Sequence, residues 1–271
     1  LVGIIGSGKV GISMGRYLKK NGIKLDGFYD IHSERSTFHS IKLGVKRFSS
    51  IKELLISSKV IMIAVPDDEI IRVWEEVKGE EIEGKTIFHT SGSLSSEVFS
   101  GGEKTFTASL HPMMTFSGEE TDICEMERMT LALEGDAPLL EEVLTTLGNN
   151  YFKISKEDKV RYHLGGVYTS NLLIPMITRG IENLKLCGLE GEQIKKILLP
   201  LMEKTIENIY EKGSRKAVTG PVERGDVKTI EKHLKCQEDY ERGLYIEGSK
   251  ELLRILGRED KKIEGLLEEY R

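Results

Sequence analysis

LVGIIGSGKVG, residues 1–11, sets a short apolar run against glycines at positions 6, 8 and 11 and then enters a stretch with helical spacing, KVGISMGRYLKKNG. Strand, glycine turn and helix in that order are what a dinucleotide-binding crossover requires. Gly6 permits a tight turn, Gly8 lets backbone approach a pyrophosphate, and Gly11 allows the helix to pack closely on the strand. Backbone N–H groups at the helix start, around Ser7, Lys9 and Val10, are then positioned to receive an anion.

The same alternation continues outward from this stretch. LDGFYD, VIMIAV, TIFHT, TFTASL, MTLALEG and YFKI are short runs separated mainly by helical patterns and end near residue 154. They predict an α/β domain over residues 1–154, a Rossmann-type doubly wound, mostly parallel sheet covered on both faces. Beyond Ile154 the strand signals stop. Apolar residues recur at three- and four-residue spacings over 157–187, 191–212, 227–237 and 239–256, with Gly188 and Gly213 placed as stops. Residues 155–271 therefore read as an all-helical C-terminal domain, a candidate for substrate binding and dimerisation.

The 271 residues suit two domains, each able to bury a core. A net charge of -5 without a basic stripe argues against nucleic acid. No apolar run approaches the ~18 to 20 residues of a membrane span, and the opening residues are too short for a signal segment, so the expected place is the cytoplasm. Cys124, Cys187 and Cys236 are isolated, which fits a reducing compartment, argues against a thiolate metal site and predicts packed or half-buried thiols.

Polar residues collect where the predicted strands end. Asp30, about 20 residues past the glycines, is placed for a ribose 2'-hydroxyl and favours NAD. His32, Ser33 and Arg35 follow at once and can hold a 2'-phosphate, so the choice between NAD and NADP stays open. In AVPDDEI, residues 64–70, Val65 and Pro66 end a strand beside the nicotinamide ribose, and Asp67 or Asp68 reads as a helix N-cap. HTSGS at 89–93 brings Ser91 and Gly92 to the same edge, and SLHPMM at 109–114 brings His111, held extended by Pro112. In HLGGVYTSNLL, His163, Val167 and Asn171 are four apart and share a helical face, with Ser170 beside them. In TGPVERGD, residues 219–226, Asp226 reads as an N-cap, and Arg224 offers a bidentate anion holder.

These segments together, GIIGSGKVG, AVPDDEI, HTSGSLSSEV, SLHPMMTF, ALEGD, HLGGVYTSNLL and TGPVERGDVKTIEKHL, resemble a family of Rossmann-like oxidoreductases with a C-terminal helical domain long described as of unknown function. Some members are alternative ketopantoate reductases, and relatives include 3-hydroxy acid dehydrogenases and pyrroline-carboxylate reductases. The resemblance implies hydride transfer between NAD(P)H and a small keto or hydroxy acid. It sets His163 where relatives carry a lysine and Asn171 where they carry an asparagine. SLHPMM also resembles the HPM stretch of prephenate dehydrogenases, which makes His111 a competing proton donor. On this reading His163, His111 and Asn171 are catalytic, while Ser91, Gly92, Ser170, Arg224 and Asp226 bind substrate. A ketopantoate-type reductase is expected, with a prephenate-type dehydrogenase or a non-catalytic NAD(P)-binding sensor as alternatives. A homodimer is expected, with no metal, nucleic acid or membrane partner.

Overall fold

The computed structural model describes residues 1–102, 104–118 and 121–271. The chain divides into two compact units, Leu1–Asn171 and Leu172–Arg271. Among the described residues of the first, eight strands form one sheet. In chain order its elements are β1 (Val2–Ile5), α1 (Lys9–Lys20), β2 (Leu25–Tyr29), α2 (Ser33–Leu43), β3 (Lys46–Arg47), α3 (Ile51–Ser57), β4 (Val60–Ile63), α4 (Asp67–Val77) and β5 (Thr86–His89). They continue with β6 (Phe106–Met113), α5 (Ile123–Glu127), β7 (Thr130–Gly135), α6 (Pro138–Leu147), β8 (Tyr151–Lys153) and α7 (Lys159–Thr169).

The strand order is β3-β2-β1-β4-β5-β6-β7-β8. All neighbours run parallel except β6 and β7. The first six strands thus follow the doubly wound order with its reversal beside β1. Covering helices make continuous apolar strands necessary, and β1 and β4 are buried at every position. Because side chains alternate, Ile4 and Met62 join one core with Ile12 of α1, while Ile5 and Ile63 join the opposite core with Ile70 and Trp74 of α4. Each fully buried side chain of this size contributes ~1.5–3 kcal/mol.

The sheet ends at Lys153, but α7, which follows it, lies within the first compact unit. The single helix expected over 157–187 is two helices. α7 stops at Thr169, Ser170 leaves helical geometry at φ -125 and ψ -71, and the chain restarts as α8 (Leu173–Leu186). Asn171 therefore sits past the helix end rather than on a continuous face.

The second unit is helical throughout its ordered elements: α8, α9 (Gly191–Lys212), α10 (Ser214–Ala217), α11 (Pro221–Arg224), α12 (Val227–Lys235), α13 (Asp239–Leu256) and α14 (Lys261–Glu269). Val222, Ile230, Leu234, Ile246, Leu253, Ile263 and Leu267 form its core, so α11 to α14 pack around one centre. α8 buries none of its described residues and α9 buries only Ile194.

TGPVERGD holds a helical turn between two glycines. Gly220 at φ 97 and Gly225 at φ 71 bracket α11, and both angles suit a residue without a Cβ. Asp226 caps α12 as expected, accepting from the Thr229 N–H at 3.1 Å and from its hydroxyl at 2.7 Å. Both carboxylate oxygens are thereby used by the helix start, so the role supported for Asp226 is capping. The three cysteines are exposed, which corrects the expectation of packed thiols. Among the described residues, no helix is long and apolar enough to cross a membrane.

Candidate active site

Register places the polar segments at one edge of the sheet. Ile5 lies opposite Ile63, Ile63 opposite His89, and His89 opposite Ser109. The glycine loop after β1, the Val65–Pro66 turn after β4, the loop after β5 and His111 near the end of β6 therefore emerge at the carboxyl ends of parallel strands, where open α/β sheets bind ligands.

The three glycines have separate duties in the structure. Gly6 has φ 101, and a Cβ there would strike the Ala64 carbonyl oxygen; a Cβ on Gly11 would strike the Gly6 carbonyl oxygen. Gly8 is different, because no described atom lies within 4 Å of where its Cβ would be. It begins α1 as a cap with no side-chain hydrogen bond, and Lys9 and Val10 follow as the first helical residues. An open backbone surface at a helix N-terminus fits a pyrophosphate.

Ser7 departs from its expected role. Its N–H and hydroxyl each donate to Asp30 Oδ2 at 2.6 Å, so that amide serves the protein rather than an anion. Asp30 Oδ1 also accepts from the His32 N–H at 2.8 Å. Burial works to raise the Asp30 pKa, but these hydrogen bonds outweigh it and hold the carboxyl below its ordinary value. The carboxylate thus ties the end of β2 to the glycine loop. His32 and Ser33 open α2, with His32 exposed.

Asp67 is not the N-cap of α4; Pro66 holds that position without a side-chain cap bond. Asp67 Oδ2 instead accepts from Ser91 Oγ at 2.7 Å and Ser93 Oγ at 3.1 Å. Ser91 Oγ also accepts from the N–H groups of Ser93 and Leu94. Its hydroxyl is committed to shaping the 89–93 loop, which replaces the expectation that it orients a substrate carbonyl. That loop presents Gly92 to two imidazoles. A Cβ on Gly92 would lie 2.5 Å from His163 Cδ2 and 2.9 Å from His111 Nε2.

His111 and His163 meet edge to face with ring centroids 5.8 Å apart. Both line a cavity of about 470 Å³ in the first unit, with Met113, Met114, Phe116, Val167, Ser170 and Asn171 among its walls. Burial lowers the His111 pKa to about 4, with the His163 and Lys159 charges acting in the same direction and Asp67 opposing. Near neutral pH His111 is uncharged, able to donate one hydrogen bond but seldom present as the imidazolium. Ser170 Oγ donates to the Gly166 carbonyl at 2.7 Å and lies 2.9 Å from the Asn171 carboxamide oxygen beside the cavity.

Two residues were missed in the sequence. Tyr162 places its hydroxyl 2.9 Å from His111 Nδ1, and burial raises the phenol to about 12. Lys159, not His163, is the residue that opens α7. It is fully buried, donating to the Ser109 hydroxyl at 2.5 Å and the Ser91 carbonyl at 3.2 Å. Burial lowers its pKa against the opposing pull of Glu134 and Asp67. Tyr162 adjoins His163 in RYHLGG and Lys159 lies four residues before His163, but nothing in linear spacing shows that Tyr162 reaches His111 of β6 or that Lys159 reaches Ser109 of β6 and Ser91 after β5. Among the described residues no group of three or more His, Cys, Asp or Glu is arranged to hold a metal. Arg224 and Asp226 lie in the second unit, with Arg224 exposed at the end of α11.

The sheet order and glycine loop define a Rossmann-like domain followed by a helical unit. Residues 1–111 match the model of a Rossmann-like domain, and residues 130–252 match a domain of unknown function (DUF2520). No curated protein is matched. A candidate NADP oxidoreductase from Bacteroides fragilis is 23% identical with a TM-score of 0.77, covering 93% of this chain and 96% of its own. Protein TM1727 from Thermotoga maritima is 25% identical with a TM-score of 0.68, covering 95% and 98%. A reductive aminase from Aspergillus terreus, solved with NADPH and ethyl-5-oxohexanoate, is 14% identical with a TM-score of 0.62, covering 99% and 92%. These likenesses are of fold.

Proposed function

We propose that the chain is an NAD(P)H-dependent reductase that acts on a C=O or C=N group of a small acid, with ketopantoate as the first keto acid to test. The observation that carries this reading is the pairing, at one sheet edge, of an open Gly8 surface with a cavity lined by His111, His163, Ser170 and Asn171. Gly6, Gly8, Lys9, Val10 and Gly11 would hold the pyrophosphate, and Val65 and Pro66 the nicotinamide ribose. Asp30, His32, Ser33 and Arg35 would border the adenosine ribose. When bound, the nicotinamide supplies a hydride.

The chain supplies polarity and a proton. His163 would supply the proton that the substrate oxygen takes as its C=O π pair becomes a lone pair. Neutral His111 donates a hydrogen bond to that oxygen, and Asn171 with Ser170 orients the group. The reductive aminase neighbour supports including imines.

NADH and NADPH oxidation, measured with ketopantoate, other small 2-keto acids and cyclic imines, tests the reading. Turnover should fall ~100-fold in His163→Ala, in keeping with loss of general acid catalysis. Cofactor binding without turnover of any compound would leave a nucleotide-binding protein instead. The proposal includes a homodimer, supported by exposed Ile174, Met176, Ile197, Leu201, Ile206 and Ile209 on α8 and α9. Sedimentation of the full chain at the mass of one copy would remove that part.

A further inference from the structure

We infer that Tyr162 is a positioning residue: its hydroxyl donates to Nδ1 of His111 and holds the ring in the tautomer that carries hydrogen on Nε2. The inference rests on the reductase reading only for its kinetic consequence, because the tautomer is a property of the free protein.

The geometry has three parts. The Tyr162 oxygen lies 2.9 Å from His111 Nδ1, and the rings meet edge to face at 5.5 Å, so the phenol is held from two directions. Phe152 packs edge to face on Tyr162 at 5.8 Å. Among the described residues, Tyr162 makes no other side-chain hydrogen bond, so its hydrogen has one acceptor within the protein, the Nδ1 lone pair. The alternative tautomer would put a hydrogen on Nδ1 and leave the half-buried hydroxyl hydrogen without that acceptor.

The charged and titratable groups facing His111 favour the uncharged ring. His163 approaches from α7, Lys159 from the start of that helix, and Asp67 from α4; the first two oppose a proton on His111 and Asp67 favours it. Burial adds to the first pair, and the phenol stays protonated because burial raises it to about 12. A neutral ring with Nδ1 occupied presents Nε2–H beside Gly92 and His163. His111 thereby becomes a fixed hydrogen-bond donor at the cavity, while His163 remains the group that transfers a proton. Which of the two imidazoles does which task follows from Tyr162.

Long-range 15N–1H correlation spectra of the full, histidine-labelled protein read tautomers directly. His111 would be assigned by loss of its signals in His111→Gln. Wild type at pH 7.5 should show His111 protonated at Nε2 and bare at Nδ1. Tyr162→Phe keeps the ring that packs on His111 and Phe152 but removes the hydroxyl, and should show a mixture of tautomers with His163 signals unchanged. Nδ1–H in wild type would overturn the inference, as would the wild-type tautomer persisting unmixed in Tyr162→Phe. Where a reducible substrate is known, Tyr162→Phe should lower kcat about 10-fold with KM within 2-fold, the pattern of an interaction made in the transition state. Absence of turnover by the wild type would count against the reductase reading alone, since the spectra stand without it.

Discussion

At the residue scale, Gly92 decides how close the two histidines come. Any Cβ there lies inside the contact distance of both rings, so the imidazoles must part or the loop must move. Gly92→Ala is expected to lower turnover about 10- to 100-fold, the cost of misplacing a reacting group by roughly 1 Å. Cofactor affinity measured by fluorescence titration should stay within about 2-fold, because the glycine loop after β1 is untouched. Loss of cofactor binding would show that Gly92 acts through the fold. The sequence marked Gly92, His111 and His163 as neighbours of function without showing that they touch. Tyr162 and Lys159 were invisible for a related reason: both are ordinary residues of an amphipathic stretch until packing sets them against segments about 50 positions away.

At the scale of elements, the α11–α12 segment sets a capping residue, Asp226, two positions from an exposed one, Arg224. Asp226→Ala removes the bonds to Thr229 and should cost ~1 kcal/mol in urea denaturation, the usual worth of a cap. Arg224→Ala should leave stability within ~0.5 kcal/mol, as an exposed residue. Equal losses of stability in both variants would mean that Arg224 also holds the segment together. The cap was legible because an aspartate after glycine and before a helical pattern has one local use. The break between α7 and α8 was not, since 157–187 keeps helical periodicity straight through residues 170–172. Likewise Asp67 reads as a cap by position, and only the folded loop shows its carboxylate turned to Ser91 and Ser93.

For the whole molecule, the buried histidines set the response to acid. Burial lowers both His89 and His111 to about 4, so the folded protein binds fewer protons than the unfolded chain between that value and the ordinary histidine pKa near 6.5. Their contribution is fully present above about pH 6.5 and is lost as pH falls toward 4. The slope approaches about 1.4 kcal/mol per pH unit for each histidine. Urea midpoints measured from pH 7.5 to 4.5 should fall in that window, and His111→Gln should flatten part of the decline. An unchanged slope in that variant would mean that His111 titrates alike in both states. The architecture itself was written in the sequence, because strand and helix periods, glycine spacing and caps are local properties that neighbouring residues determine. A parallel sheet with a glycine turn at its carboxyl edge followed by helices was therefore readable from residue order. What tertiary structure alone decided is the partnering of polar groups: Ser7 with Asp30, Asp67 with Ser91, Lys159 with Ser109 and Tyr162 with His111. Each pair joins residues more than 20 positions apart, and a polar side chain taken from water accepts whichever partner the packed chain brings within about 3 Å.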